Sequence, residues 1–309
     1  MYKSNLPQSQ LTAWLVGAIV PTAIQLTAGA SWMEVLLASA SGLLCVALCW
    51  QWGEAPKGKV CCLLQWAVLV AVMAALSQRI PEAWPRGGHK AVALILLALA
   101  LWSALKGVRA CASVGCVLFW FTIPLYLILL GAGVRQIQPK WLVPGREAVS
   151  AMGCLLLLTP AAASIHLNKR ERPKPRLLLT VLLCTLASAV TAGVLSPKAA
   201  GLKDNPFYEM TRSLNLFGQA RRFEAVLSAG VTAGWFSVLA LALSLCGRWA
   251  EGFRPGWGKK GMTAAAIGVF TSVLWNWEIP GGLLLILGAF CWVVLPVFTG
   301  LIHQIKKSK

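Results

Sequence analysis

Apolar stretches close to 20 residues long recur along almost the whole chain, at about 11–28, 32–50, 60–77, 89–106, 113–133, 147–167, 176–195, 223–246, 261–277 and 281–303. A segment of roughly 20 apolar residues matches the hydrocarbon thickness of a bilayer, and a helix is the one open-ended element that satisfies its own backbone there. The chain is 58% hydrophobic and 12% charged with a mean hydropathy of +0.70 over 309 residues, too apolar for a soluble domain of this size. The expectation is an all-α polytopic membrane protein with about ten transmembrane helices. The first segment carries Lys3 in front and Ala28-Gly29-Ala30 behind, as a signal peptide would. Pro21 interrupts its apolar run, however, and the flank is barely charged, so it is read as a span.

The formal net charge of +18 belongs to lipid and topology. Lysines and arginines are spread over nearly every loop and form no soluble basic domain, so nucleic acid is not an expected partner and the bilayer is. Seventeen of the 28 fall in the alternate loops that share a side with the termini, and eleven on the other side. By the positive-inside rule the termini are cytoplasmic. The ten cysteines show no CxxC spacing and mostly lie in apolar segments, where a thiol acts as a small hydrophobe. His89, His166 and His303 are too scattered for a ligand set, and no nucleophile–base pair, phosphate loop or metal motif appears. Neither an enzyme, a cofactor nor a metal site is expected.

Glycine and proline punctuate the two halves alike. Gly17 and Pro21 fall in the first span, Gly153 and Pro160 in the sixth, Pro124 in the fifth and Pro296 in the tenth. Five spans per half is an odd number, so residues 1–140 and 141–309 would enter the membrane from opposite sides as a 5+5 inverted repeat. Broken helices 1 and 6 would expose backbone donors and acceptors at membrane depth, placing a small-molecule site among Gly17, Ala18, Pro21, Thr22, Gly153, Thr159 and Pro160. Bulk at Gly17 or Gly153 would then block the ligand and leave packing intact. The other reading is a pair of ordinary proline kinks. Ser228 and Thr232 share a helix face and either coordinate a sodium ion or bond back to their own helix. No Asp, Glu, Lys or Arg lies at the centre of a span, so no charged proton relay is visible.

The one long polar passage, Asp204 to Glu224, is expected to hold an interfacial helix over about 204–218, on the outer side and lying on the membrane. Asp204 or Asn205 caps it, Pro206 begins it, and Phe207, Met210, Leu214 and Phe217 form a stripe opposite Glu209, Arg212 and Asn215. Gly218 would end it. Arg221, Arg222 and Glu224 stand at the head of the next span, as a structural collar or gate.

These residues are similar to a known family, the spore-germination permeases that form the B-type subunits of germinant receptors, within the amino acid–polyamine–organocation superfamily. The specific match is Pro206, Arg212, Leu214, Leu216, Arg222 and Glu224, read against the family's proline, arginine, alternating aliphatics and Arg-x-Glu. Weaker matches are Trp102-Ser-Ala-Leu-Lys106-Gly107, Leu142-Val143-Pro144 and the general look of residues 10–32. Arg109 and Ser113 depart from the family's usual acidic residue and arginine, and Trp235 comes late. The resemblance implies a leucine-transporter-like fold that senses or carries an amino acid. It also implies an A-type membrane subunit and a C-type lipoprotein as partners in the spore inner membrane. A secondary amino-acid transporter and a non-transporting scaffold are the alternatives.

The charge asymmetry makes a direct prediction. A cysteine at Ser213 should react with an impermeant maleimide on intact cells, and one at Ser308 only after permeabilisation; the opposite pattern reverses the topology.

Overall fold

The computed structural model describes residues 7–54, 58–80, 90–142, 148–167, 177–201, 205–214, 220–277 and 279–307, and of residues 8, 164–166 and 220–225 the backbone alone. Among these residues the fold is entirely helical: α1 (Gln8–Thr27), α2 (Trp32–Trp52), α3 (Lys59–Arg79), α4 (Lys90–Lys106), α5 (Val108–Val134), α6 (Ala151–Leu167) and α7 (Leu178–Leu195) come first. The short α8 (Pro197–Gly201) and α9 (Pro206–Ser213) follow, then α10 (Ala220–Phe253), α11 (Gly258–Trp275), α12 (Gly281–Ala289) and α13 (Leu295–Lys307). A π-helical turn at Phe290–Val294 joins the last two into one rod. Seven of the described helices are long and apolar enough to cross a membrane: α1, α2, α3, α5, α7, α10 and the α12–α13 rod.

Local chemistry sets several boundaries. A single residue, Gly107, separates α4 from α5, and its φ of 112° lies where a side chain is strained, which is why glycine stands there. α10 continues seven residues past the expected end at 246 and stops before Pro255, because Cys246 to Phe253 contain no proline to interrupt the ladder. Asn276 closes α11 in the left-handed conformation, with the Trp277 N–H reaching Ser272 O at 3.1 Å.

The helices pack in two groups. α1, α2, α6 and α7 form one, α3, α4, α10 and α11 the other, and the α1–α10 contact joins them, with α5 against α1 and α12 against α6. α1 is the most enclosed, 89% buried along its apolar stretch, where α2 and the last rod are each 28% buried and present leucines and aromatics outward. An outward apolar belt is what a lipid solvent requires. Inside, where lipid offers no hydrophobic drive between helices, close backbone approach at small residues supplies the packing. A Cβ at Gly42 would lie 2.6 Å from Leu157 O on α6, and one at Gly115 2.0 Å from the Trp14 ring.

α9 departs from the interfacial helix expected. It ends at Ser213, with Leu214 already extended, and Phe207, Tyr208, Met210 and Leu214 are buried against protein rather than lipid. Phe207 stacks on Tyr126 of α5 at 5.5 Å and 14°, and Met210 Sδ lies 3.3 Å from where a Cβ would stand at Gly133. The helix therefore closes the end of the α1–α5–α7–α10 cluster. Asn205 holds the cap position without a side-chain capping bond. Asp204, Asn215, Leu216, Phe217, Gly218, Val143 and Pro144 lie outside the described residues.

Gly42→Val should cost about 1–3 kcal/mol by forcing α2 from α6, read as a lower thermal midpoint of the purified protein and less of it in the membrane; an unchanged midpoint would mean that the two helices separate freely.

Candidate functional site

The expectation of broken helices at 17–22 and 153–160 is corrected: α1 and α6 run as continuous helices through Pro21 and Pro160. The chemistry beside each proline makes this tolerable. Pro160 has no N–H to give to Leu156 O, and the Thr159 hydroxyl donates to that same carbonyl. Near Pro21, the Thr22 hydroxyl donates to Ala18 O at 2.8 Å and lies 3.1 Å from Ile19 O. Gly17, Ala18, Pro21, Thr22, Gly153, Thr159 and Pro160 are all buried.

The two glycines are not brought together. A Cβ at Gly17 would meet the Phe119 backbone of α5 at 3.0 Å, whereas one at Gly153 would meet Thr27 Cγ2 at 2.9 Å. Thr27 lies ten residues further along α1, roughly 15 Å at helical rise. Gly153 thus marks the place where the start of α6 meets the end of α1. Ser150 caps that start by accepting from the Gly153 N–H at 3.2 Å while donating to Leu26 O at 3.2 Å. Bulk at either glycine disturbs packing, contrary to the expectation that it would act on a ligand alone.

What Pro21 and Thr22 do meet is α10. A Cβ at Gly234 would lie 2.6 Å from Pro21 Cβ and 3.5 Å from Thr22 Cγ2, and one at Gly230 would touch Leu125 and Tyr126 of α5. The Gly230-x-x-x-Gly234 spacing was the available signal for this junction. On the same helix Thr232 donates to Ser228 O at 2.6 Å, the self-bonded arrangement; both residues are half-buried. Arg212 pairs with Glu209 at 3.6 Å on the exposed side of α9, and Pro206 packs where Gly29 and Ala200 converge. The side chains of Arg221, Arg222 and Glu224 lie outside those described.

A third proline has a different solution. Pro296 follows the π turn, in which the Leu295 N–H bonds Phe290 O, so the missing proline donor releases the carbonyls of Cys291 and Trp292. Gln65 Nε2 of α3 donates to Cys291 O at 2.8 Å, and Cys49 Sγ of α2 to Trp292 O at 3.5 Å. Gln65 is fully buried, and its Oε1 has no partner among the described residues; the same holds for Trp292 Nε1, Gln25 Oε1, Tyr126 OH and Trp235 Nε1. Such groups carry a desolvation cost that a water or polar solute relieves.

A polar cavity of about 470 Å³ opens where the end of α3, the start of α6 and the α11–α12 turn converge. Gln78, Arg79 and Asn276 supply its polar wall and Ala75, Met152, Ile279 and Gly281 the rest, with Gln78 Nε2 donating to Trp277 O at 2.7 Å. The volume suits a small solute. Sequence reasoning counted Arg79 only as a loop charge, because nothing in the spacing shows which loop ends meet.

No family model matches the chain, and no curated protein matches it. Among solved structures it is similar to MHP1, a nucleobase-cation-symport-1 family transporter in a closed conformation with bromovinylhydantoin bound. The TM-score is 0.58 at 16% identity, over 94% of this chain and 78% of that one. At this identity the likeness is one of fold: this is a multi-pass membrane protein with a transporter-type helical architecture.

Gln65→Leu should lower the thermal midpoint in detergent, at about 1 kcal/mol for a carbonyl left without its donor inside the bundle; an unchanged midpoint would mean that Cys291 O is satisfied without Gln65.

Proposed function

We propose that this chain is a non-enzymatic, permease-like membrane protein that binds a small amino-acid-type solute, admitted through the polar cavity beside Arg79. The observation that carries this reading is that cavity, set at the meeting point of α3, α6 and the last rod in a transporter-type fold. Gln78, Arg79 and Asn276 would line the polar end of the solute. The Pro21–Gly234 junction and the Thr159–Pro160 pair are the points where α1 and α6 would give way, since a proline-weakened ladder bends at least cost.

A 5+5 inverted repeat is supported by how neighbours recur. α1 packs on α5 and α7 as α6 packs on α12 and α2, while α3 meets α11 as α10 meets α4. The prolines recur likewise, in the first and fifth spans of each half. This supports ten spans, counting α4, α6 and α11 with the seven; an even number of spans would put both termini on one side, which the Lys and Arg distribution makes the cytoplasmic one.

The finer reading is a B-type subunit of a spore nutrient-germinant receptor, with an A-type membrane subunit and a C-type lipoprotein as partners in the spore inner membrane. It rests on the residues from Pro206 to Glu224. The second reading, a secondary amino-acid transporter, is favoured by the likeness to a symporter.

Equilibrium binding of radiolabelled amino acids to the purified protein tests the shared claim. At least one should bind saturably, and Arg79→Gln, which alters the cavity wall, should weaken it about tenfold or more. Saturable binding without flux in proteoliposomes supports the receptor reading, and flux the transporter. No binding of any amino acid overturns both and leaves the scaffold.

A further inference from the structure

A separate groove of about 460 Å³ lies between the start of α3, the end of α10 and the start of α11. Its walls are apolar and aromatic: Leu63 and Trp66 from α3, Phe253 from α10, and Trp257 and Ala264 at and beyond the α10–α11 turn, with the buried Trp249 as a floor. Trp66 Nε1 donates to Gly261 O at 3.2 Å, which ties α3 to α11 and keeps the groove in shape. All three helix ends carry their first or last charged residues here, so the groove lies at the membrane–water boundary.

Its mouth is cationic. The Arg254 guanidinium carbon stands 5.0 Å from the centre of the Trp257 ring and Lys260 Nζ 5.9 Å from it, so one exposed indole holds two positive charges beside the opening. The nearest carboxylate along the chain is committed elsewhere: Glu251 accepts from the Gly256 and Gly258 N–H groups, each at 3.0 Å, and thereby shapes the α10–α11 turn. Lys259 adds a further positive charge in the first turn of α11.

We propose that this groove binds one anionic phospholipid, an acyl chain lying along Leu63, Trp66 and Ala264 and the phosphate held between Arg254 and Lys260. An apolar groove alone would accept any acyl chain. The paired cations convert it to one that selects a negative headgroup, because the phosphate's charge meets two donors at a site of reduced dielectric. A zwitterionic lipid offers the same phosphate with a cationic group attached, which these two residues repel. The bound lipid would brace α3, α10 and α11 together, and this does not depend on which solute the protein binds.

The test is native mass spectrometry and thermal unfolding of the delipidated protein with phosphatidylglycerol, with phosphatidylcholine of the same acyl chains, or with inorganic phosphate. One phosphatidylglycerol should be retained and raise the midpoint, with neither effect from the other two. The Arg254→Gln/Lys260→Gln double variant should bind phosphatidylglycerol roughly tenfold more weakly, with an unaltered midpoint in phosphatidylcholine. Ala264→Trp, which fills the groove and leaves both cations in place, should abolish retention. Equal retention of the two lipids, an undiminished preference in the double variant, or full retention by Ala264→Trp would each overturn the proposal. Stabilisation by inorganic phosphate alone would reduce the groove to a simple anion site and overturn it likewise.

Discussion

In hydrocarbon, no water is at hand for a backbone N–H or C=O, and the structure depends on how that demand is met wherever proline denies it. Three solutions appear. The Leu156 carbonyl, deprived by Pro160, takes the hydroxyl of the adjacent Thr159 within the same helix. The carbonyls released by Pro296 are met from other helices, by Gln65 and Cys49. Pro206 avoids the cost by standing at the first position of α9, where its N–H would be orphaned anyway. The within-helix solution leaves a helix free to move as a unit. The between-helix solution ties three elements into one.

Close packing follows from the same solvent. Because lipid and leucine are alike to a helix, the bundle coheres through shape, and the glycines at 17, 42, 115 and 234 bring backbone to backbone or backbone to ring. Those at 17, 115 and 234 account for the enclosure of α1. They also explain why the polar space opens at helix ends, beside Gln78, Arg79 and Asn276, rather than along the middle of α1.

Charge is confined to the rims and is used there for joining. Glu54 N–H donates to Pro296 O at 2.9 Å, Thr299 donates to Glu54 O at 3.1 Å, and His303 Nδ1 stands 3.1 Å from the Glu54 carboxylate, so the end of α2 clasps α13. Glu251 organises the α10–α11 turn in the same manner through two backbone N–H groups. Each of these two clasps fixes a helix end at the rim of the bundle.

The sequence by itself determined the helical, membrane-embedded class, because hydropathy at helical length has one structural solution in a bilayer. It located helical segments to within a few residues at most ends. Pro206 was legible as punctuation, since its backbone requirement is local, whereas Gly107 entered only through the family resemblance. Only the tertiary structure decided where side chains meet. Gly17 faces Phe119 and Gly153 faces Thr27, so a site inferred by pairing those glycines is not assembled. Arg79 reached a cavity wall, Gln65 a freed carbonyl and α9 a buried seat, and each depends on rotation and depth relative to a neighbour. In a span apolar on every side, periodicity carries little record of which face is buried. Small-residue contacts set that rotation, and their partners lie a hundred or more residues away in the chain.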